Sequence, residues 1–218
     1  MSRQNNALPQ MVEPLWSTYI HQKGARLGLP VTGTFELTPR CNFNCNMCYV
    51  HQTEAQAAQG GRRELTTAEW LAIAEEARKA GMVFLLLTGG EPLLRPDFPE
   101  LLHALKNMGF LVSVNSNGSL LRGELLEAVK QDPPLRFNIT LYGGSNAAYE
   151  RLCGRAMFQE VVDNLRALKD AGIPVRLNVS VTPDNKDDVP EIFRLARELG
   201  LHTKASTYMY PPVRLGDG

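Results

Sequence analysis

Cys41, Cys45 and Cys48 fall within the run Cys41-Asn42-Phe43-Asn44-Cys45-Asn46-Met47-Cys48. Three soft thiolates on so short a segment suit zinc or an iron-sulfur cluster. A cubane cluster ordinarily takes four cysteines, so three from one loop leave one iron open to an exogenous ligand. An open iron is a reactive one. Structural zinc is the competing chemistry, with His51 just beyond the loop as the fourth donor of a closed tetrahedral site. Crowding of three cysteines, with no apolar signal core at Met1 to Gln10, argues against a disulfide framework and for a metal site in a reducing compartment. The fourth cysteine, Cys153, stands alone in the sequence.

Short β-rich runs alternate with helical patterns along the chain, the mark of βα units and a parallel sheet. Six strands are expected near Gly33 to Leu37, Val83 to Thr88, Leu111 to Asn115, Phe137 to Leu141, Val175 to Val181 and Thr203 to Tyr210. Several read as continuous apolar runs, as strands buried on both faces should. Thr66 and Glu69 have capping-box spacing ahead of a helix that Gly81 ends. Asp97 with Glu100 opens another, Val161, Leu165 and Leu168 mark a third, and Asp187 or Asp188 with Pro190 opens the last. Ser145 caps a short helix through Leu152.

Six such units fall short of the roughly 250 residues of an eight-fold barrel, so the expected fold is α/β, a partial (β/α)6 TIM-like barrel of parallel strands with outer helices. In such folds the loops at the strand C-terminal ends build the active site. The cysteines, Gly89-Gly90-Glu91, Asn117-Gly118 and Tyr142-Gly143 all follow strands and so converge on one rim. A zinc knuckle has no need of the glycine-rich acidic turn Thr88-Gly89-Gly90-Glu91-Pro92 after the next strand.

The cysteine spacing followed by Tyr49, with that turn after the next strand, resembles the radical S-adenosylmethionine (SAM) superfamily from about Gly33 to Tyr210. The resemblance implies that Cys41, Cys45 and Cys48 bind three irons of a 4Fe-4S cluster, that SAM chelates the fourth, and that SAM is cleaved reductively to methionine and a 5'-deoxyadenosyl radical that takes a substrate hydrogen. It further implies that Gly89 and Gly90 let the backbone approach the methionyl part of SAM, that Glu91 accepts from the SAM ammonium, and that Tyr49 lies near the adenine. Ser116, Asn117, Thr140 and Asn178 match positions of further SAM contacts. Cys153 matches a thiol hydrogen donor found in some peptide epimerases of the family. Thr140-Leu141-Tyr142-Gly143, Tyr149 to Gly154 and Thr182-Pro183-Asp184-Asn185 resemble members that modify ribosomally made peptides. A small-molecule enzyme of cofactor biosynthesis and a non-catalytic zinc-binding module are the alternatives. An external one-electron donor such as flavodoxin or ferredoxin is implied as partner.

The 218 residues suffice for one sizeable core. Lysine plus arginine and aspartate plus glutamate both number 23, with no long run of one sign, so neither nucleic acid nor a membrane surface is an expected partner. No stretch approaches a membrane span, and a cytoplasmic protein is expected. Residues 1–32 read as an N-terminal extension and 33–218 as the core domain, truncated after the sixth strand. Gln52 to Arg63, rich in Gln, Ala and Gly, reads as a mobile loop beside the cysteines. His21, His103 and His202 read as structural or solvent-facing, and Tyr208 and Tyr210 as packing residues.

Overall fold

Residues 15–48 and 63–208 are described in the computed structural model, and the strands they form lie in one sheet in sequential order. They are β1 (Thr32–Glu36), β2 (Phe84–Thr88), β3 (Leu111–Ser116), β4 (Arg136–Thr140), β5 (Val175–Ser180) and β6 (His202–Ser206). Every neighbouring pair is parallel, and the sheet curves into the partial barrel that the alternation of elements implies. β6 is shorter than the sequence reading has it: Tyr208 lies beyond its end and Tyr210 outside the described residues.

The helices are α1 (Leu15–Leu27), α2 (Thr67–Lys79), α3 (Phe98–Asn107), α4 (Gly123–Gln131), α5 (Asn146–Cys153), α6 (Phe158–Asp170) and α7 (Val189–Leu199). Four of them lay their apolar stripes on the outer face of the sheet or its flanking loops. Phe98, Leu101, Leu102 and Leu105 of α3, Val161, Val162, Leu165 and Leu168 of α6, and Ile192, Leu195 and Ala196 of α7 are buried there, joined by Tyr149 and Leu152 of α5. Beneath them lie the outward strand residues Leu85, Leu87, Val112, Val114, Phe137, Ile139, Leu177 and Val179.

Local capping explains where several helices begin. The Thr66 hydroxyl accepts from Glu69 N and the Glu69 carboxylate accepts from Thr66 N, the reciprocal box expected from their spacing. Thr66→Ala is expected to destabilise the protein by about 1 kcal/mol, read as a lower urea midpoint at unchanged slope. Ser145 caps α5 as expected, through Ala148 N. Asp97 and Asp188 stand at helix starts without capping: Asp97 pairs with Arg95 and accepts from Thr67, and Asp188 accepts from Gly144 N and Arg151. Tertiary partners have outcompeted the local bond.

Two features depart from the sequence reading. Helices α1 and α4 were not anticipated, and α1 underlies the strand N-terminal ends, where Trp16 and His21 stack on Phe84. The second departure concerns the inner face of the sheet. β2 is apolar from Phe84 to Leu87, but β3, β4, β5 and β6 alternate, with Ser113 and Asn115, then Arg136, Asn138 and Thr140, then Arg176, Asn178 and Ser180, then Lys204 and Ser206 lining an interior cavity. A closed TIM barrel packs its interior with bulky side chains. This one keeps a polar chamber of about 510 Å³.

Candidate functional site

The cysteine loop follows β1 and is tied to the fold from two sides. Asn44 N donates to Cys153 O (2.9 Å), Asn46 N to Leu152 O (3.0 Å) and Asn46 Nδ2 to Arg151 O (3.2 Å), so the loop satisfies the last carbonyls of α5, which have no partner within the helix. On the other side Asn117 Nδ2 donates to Asn42 Oδ1 (2.8 Å) and Asn42 Nδ2 to Ser119 Oγ (2.8 Å). Phe43 plugs the loop into the core, meeting Tyr142 and Tyr149 edge-on at 6.2 and 6.3 Å between ring centroids.

The turn after β2 is fitted against the residues that lead into this loop. Gly90 N donates to Thr38 O (2.7 Å) and Glu91 N to Arg40 O (2.8 Å). A Cβ at Gly89 would stand 2.4 Å from Thr38 O, and one at Gly90 2.2 Å from Arg40 O. The close approach that demands these glycines is therefore to the cysteine-bearing segment, not only to a ligand as the resemblance implies. Glu91 also has a different setting from the one expected. Its carboxylate is wholly buried and accepts from Leu93 N (3.1 Å), Ser116 Oγ (2.9 Å) and Asn117 N (2.7 Å). It joins the turn after β2 to the turn after β3 from behind the site, where burial pushes its pKa up to about 7 against those three hydrogen bonds.

In front of Glu91 lies a cavity of about 310 Å³. Cys41, Cys45, Cys48, Gly89, Gly90, Ser116, Asn117 and Thr140 all line it, so eight of the expected site residues are brought together. Phe43, Met47, Thr88, Asn115, Tyr142, Ser180 and Tyr208 complete the wall. Tyr208 is 71% exposed, so it faces the mouth and does not pack as expected. Asn178 lines the larger chamber below, whose wall shares Asn115, Thr140 and Ser180 with the upper cavity. Tyr49 and His51 lie outside the described residues, as does Gln52 to Arg62 of the expected loop. Asn185, within the turn singled out after β5, is buried and donates to Tyr142 O (2.8 Å) and Ser180 O (2.9 Å), which fixes two wall residues at once.

Burial pushes the Cys41 thiol up to about 12, opposed by the Phe43 N–H that points at its sulfur at 3.4 Å. A hydrogen bond with Cys153 and burial also raise Cys45, while a bond from Tyr142 lowers it. Burial of this kind holds both thiols in the protonated form, and a bound cation would offset the charge of their thiolates. Cys153 itself is fully buried beside Cys45 and does not line either cavity. Such a thiol cannot reach a substrate, so the structure does not support its expected role as hydrogen donor. Cys153→Ala is expected to keep the iron content and product identity of the wild type and to cost roughly 1–2 kcal/mol of stability, measured by urea unfolding and product mass.

Residues 35–210 match the family model described as the Radical SAM superfamily. The chain belongs to the radical SAM superfamily. The chemistry of this superfamily rests on a 4Fe-4S cluster and SAM, and these are its cofactors. The radical SAM chain is 32% identical over 194 residues to a probable GTP 3',8-cyclase of Saccharolobus solfataricus, covering 88% of this chain and 61% of that protein. It is 31% identical over 181 residues to an AdoMet-dependent heme synthase of Methanosarcina barkeri, covering 83% and 51%. The chain thus spans between half and two thirds of these curated relatives. Its fold matches that of Streptococcus suis SuiB bound to SAM, with a TM-score of 0.73 at 16% identity over 89% of this chain and 45% of that one. Among the described residues no helix is long and apolar enough to cross a membrane.

Proposed function

We propose that this protein is a radical SAM enzyme that acts on a small molecule held in the chamber beneath its cofactors. One observation carries the cofactor part: Cys41, Cys45 and Cys48 line a single cavity together with the glycine turn. The glycine turn is packed directly against the cysteine-bearing segment, a feature that a closed structural zinc site does not need.

When bound, the cluster supplies one electron to SAM, whose cleavage gives methionine and a 5'-deoxyadenosyl radical able to take a substrate hydrogen. The chain supplies position and exclusion of water. Cys41, Cys45 and Cys48 hold the cluster, and the Phe43 N–H and the Asn117 amide, 3.4 and 3.9 Å from the Cys41 sulfur, reduce the charge on that ligand. Gly89, Gly90, Ser116, Asn117 and Thr140 form the wall against which SAM lies, and Tyr49 belongs to the same binding set. Glu91 acts by position, holding the turns after β2 and β3 in register. Asn178 faces the substrate chamber and contacts substrate, not SAM.

Two features favour a small molecule. The relatives near 31% identity are named for GTP and heme chemistry. The chamber, about 510 Å³ and bordered at the strand N-terminal ends by Ser17 and His21 of α1, is also of a size that suits a small ligand. An external flavodoxin or ferredoxin as electron donor and a cytoplasmic setting complete the reading. Anaerobic reconstitution with iron and sulfide, then SAM and a chemical reductant, should yield 5'-deoxyadenosine and methionine. Cys41→Ala, Cys45→Ala and Cys48→Ala should each abolish both products. Stoichiometric zinc with neither product from the wild type would overturn the reading.

A further inference from the structure

The inner wall of the chamber is charged on one side only. By register, Asn115, Asn138 and Arg176 form one level, and Thr140, Asn178 and Lys204 the level above it. Arg136 lies one level below, beside Ser113. The opposite wall combines the apolar Phe84, Leu86 and Leu111 with Thr32, Ser17 and His21, and among the described residues it holds no lysine or arginine. Among the described residues no aspartate or glutamate lines the chamber, whereas Arg136, Arg176 and Lys204 all do.

Two of these cations, Arg136 and Lys204, have no ion pair. Among the described residues neither side chain has a hydrogen-bond or salt-bridge partner, although every exposed arginine on the α2, α6 and α7 helical surfaces that carries an ion pair finds its carboxylate within one helical turn. Arg136 Nε is buried without an acceptor, and so are the acceptor oxygens Asn138 Oδ1 and Asn178 Oδ1 without a donor. A guanidinium cannot relieve its burial by losing a proton. Buried donors of this kind are normally satisfied, and an arginine fork matches the paired oxygens of a phosphate or carboxylate.

We propose that the β4–β6 wall is an anion subsite, in which Arg136 binds a phosphate or carboxylate group of the substrate and Lys204 adds a second positive charge nearer the rim. This rests on the reading of the chamber as the substrate site. The geometry also orients the substrate. Arg136 and Thr140 stand at opposite ends of β4, roughly 13 Å apart along the strand. Thr140 lies on the boundary with the cofactor cavity. The anionic end therefore points down to Arg136, the uncharged body lies against Phe84, Leu86 and Leu111, and the carbon that loses hydrogen is presented at the boundary. Asn138 Oδ1 and Asn178 Oδ1 accept from hydroxyl or amino donors along that body.

The test is isothermal titration, under anaerobic conditions, of the reconstituted and SAM-loaded protein with two probes, tripolyphosphate and tricarballylate. At least one should bind at one per chain, more weakly as sodium chloride is raised, and the tighter of the two identifies the substrate anion as phosphate or carboxylate. Arg136→Gln should weaken that binding at least 10-fold, with Arg136→Lys recovering part of it. Lys204→Gln, at an exposed edge-strand position that folding does not depend on, should weaken it by a smaller factor. Binding of neither probe to the wild type, or equal binding by wild type, Arg136→Gln and Lys204→Gln, overturns the anion subsite. A parallel assay of 5'-deoxyadenosine release by the wild type separates the two readings: release without anion binding rejects the subsite alone, and anion binding without release supports the subsite while rejecting the catalytic reading.

Discussion

Gly90→Ala is expected to leave a folded protein that cannot hold a full cluster. The added Cβ would stand 2.2 Å from Arg40 O, 2.6 Å from Arg40 C and 2.8 Å from Pro39 O. All three are main-chain atoms and cannot swing aside as a side chain would. Relief requires the segment ahead of Cys41 to withdraw from the turn after β2, breaking the bonds of Gly90 N to Thr38 O and Glu91 N to Arg40 O. Each is worth about 1 kcal/mol net, and the displacement moves the first cysteine relative to the other two. Loss of about 2 kcal/mol at the site corresponds to roughly 30-fold in rate. Iron per chain after reconstitution should fall well below four, with SAM cleavage reduced by at least that factor. Gly109→Ala is the control, since its φ of +93° makes alanine strained while nothing lies within 4 Å of the added carbon. It should cost about 1 kcal/mol of stability and spare the cluster. A full complement of iron in Gly90→Ala would show that the close approach does not govern the site.

Glu91 should impose a pH dependence on the stability of the metal-free protein. Its carboxyl is raised by burial from the ordinary 4.5 to about 7 in the folded state. The folded protein then holds a proton that the unfolded chain has lost, so the contribution is fully present below pH 4.5 and disappears as pH rises through about 7. Integrated over that window it amounts to about 3 kcal/mol. Glu64, Asp97 and Asp132, whose ion pairs lower their carboxyls despite some burial, act in the opposite sense and below this window. Urea unfolding at a series of pH values, in wild type and Glu91→Gln, isolates the effect because the other groups cancel in the difference. Wild-type stability should fall relative to the variant between pH 4.5 and 7 and run parallel above. Curves parallel throughout would mean that the buried carboxyl titrates normally.

The chemistry was more legible in the sequence than the architecture that supports it. Cysteine spacing and the glycine-rich turn are local patterns, and both come to one cavity. The capping box at Thr66 and the cap at Ser145 are equally local and form as written. Glu91 was read differently, because its donors Ser116 and Asn117 are remote in sequence and only the pairing of β2 with β3 brings them behind it. Cys153 looked available because it follows a rim helix, but its side chain turns into the core beside Cys45. The hollow interior has a signal that a reading by continuous runs misses: four successive strands, β3 to β6, with polar residues at alternate positions, in a fold whose interior is usually apolar. Helix α4 lacks a side-chain cap, starting after Arg122 with a glycine in its first position, and so offered little punctuation to detect.

The polar chamber also separates the residues that keep the protein folded from those that choose what it binds. Outward strand residues such as Phe137, Ile139, Leu177 and Val179 carry the core, whereas their inward neighbours Arg136, Asn138, Asn178 and Ser180 bury little apolar surface. Exchanging an inward side chain therefore draws little on a folding free energy of only about 5–15 kcal/mol. A packed barrel interior has no such latitude. Descendants of one ancestral barrel could rewrite this wall residue by residue, acquiring new substrates while the scaffold above and around it stayed unaltered.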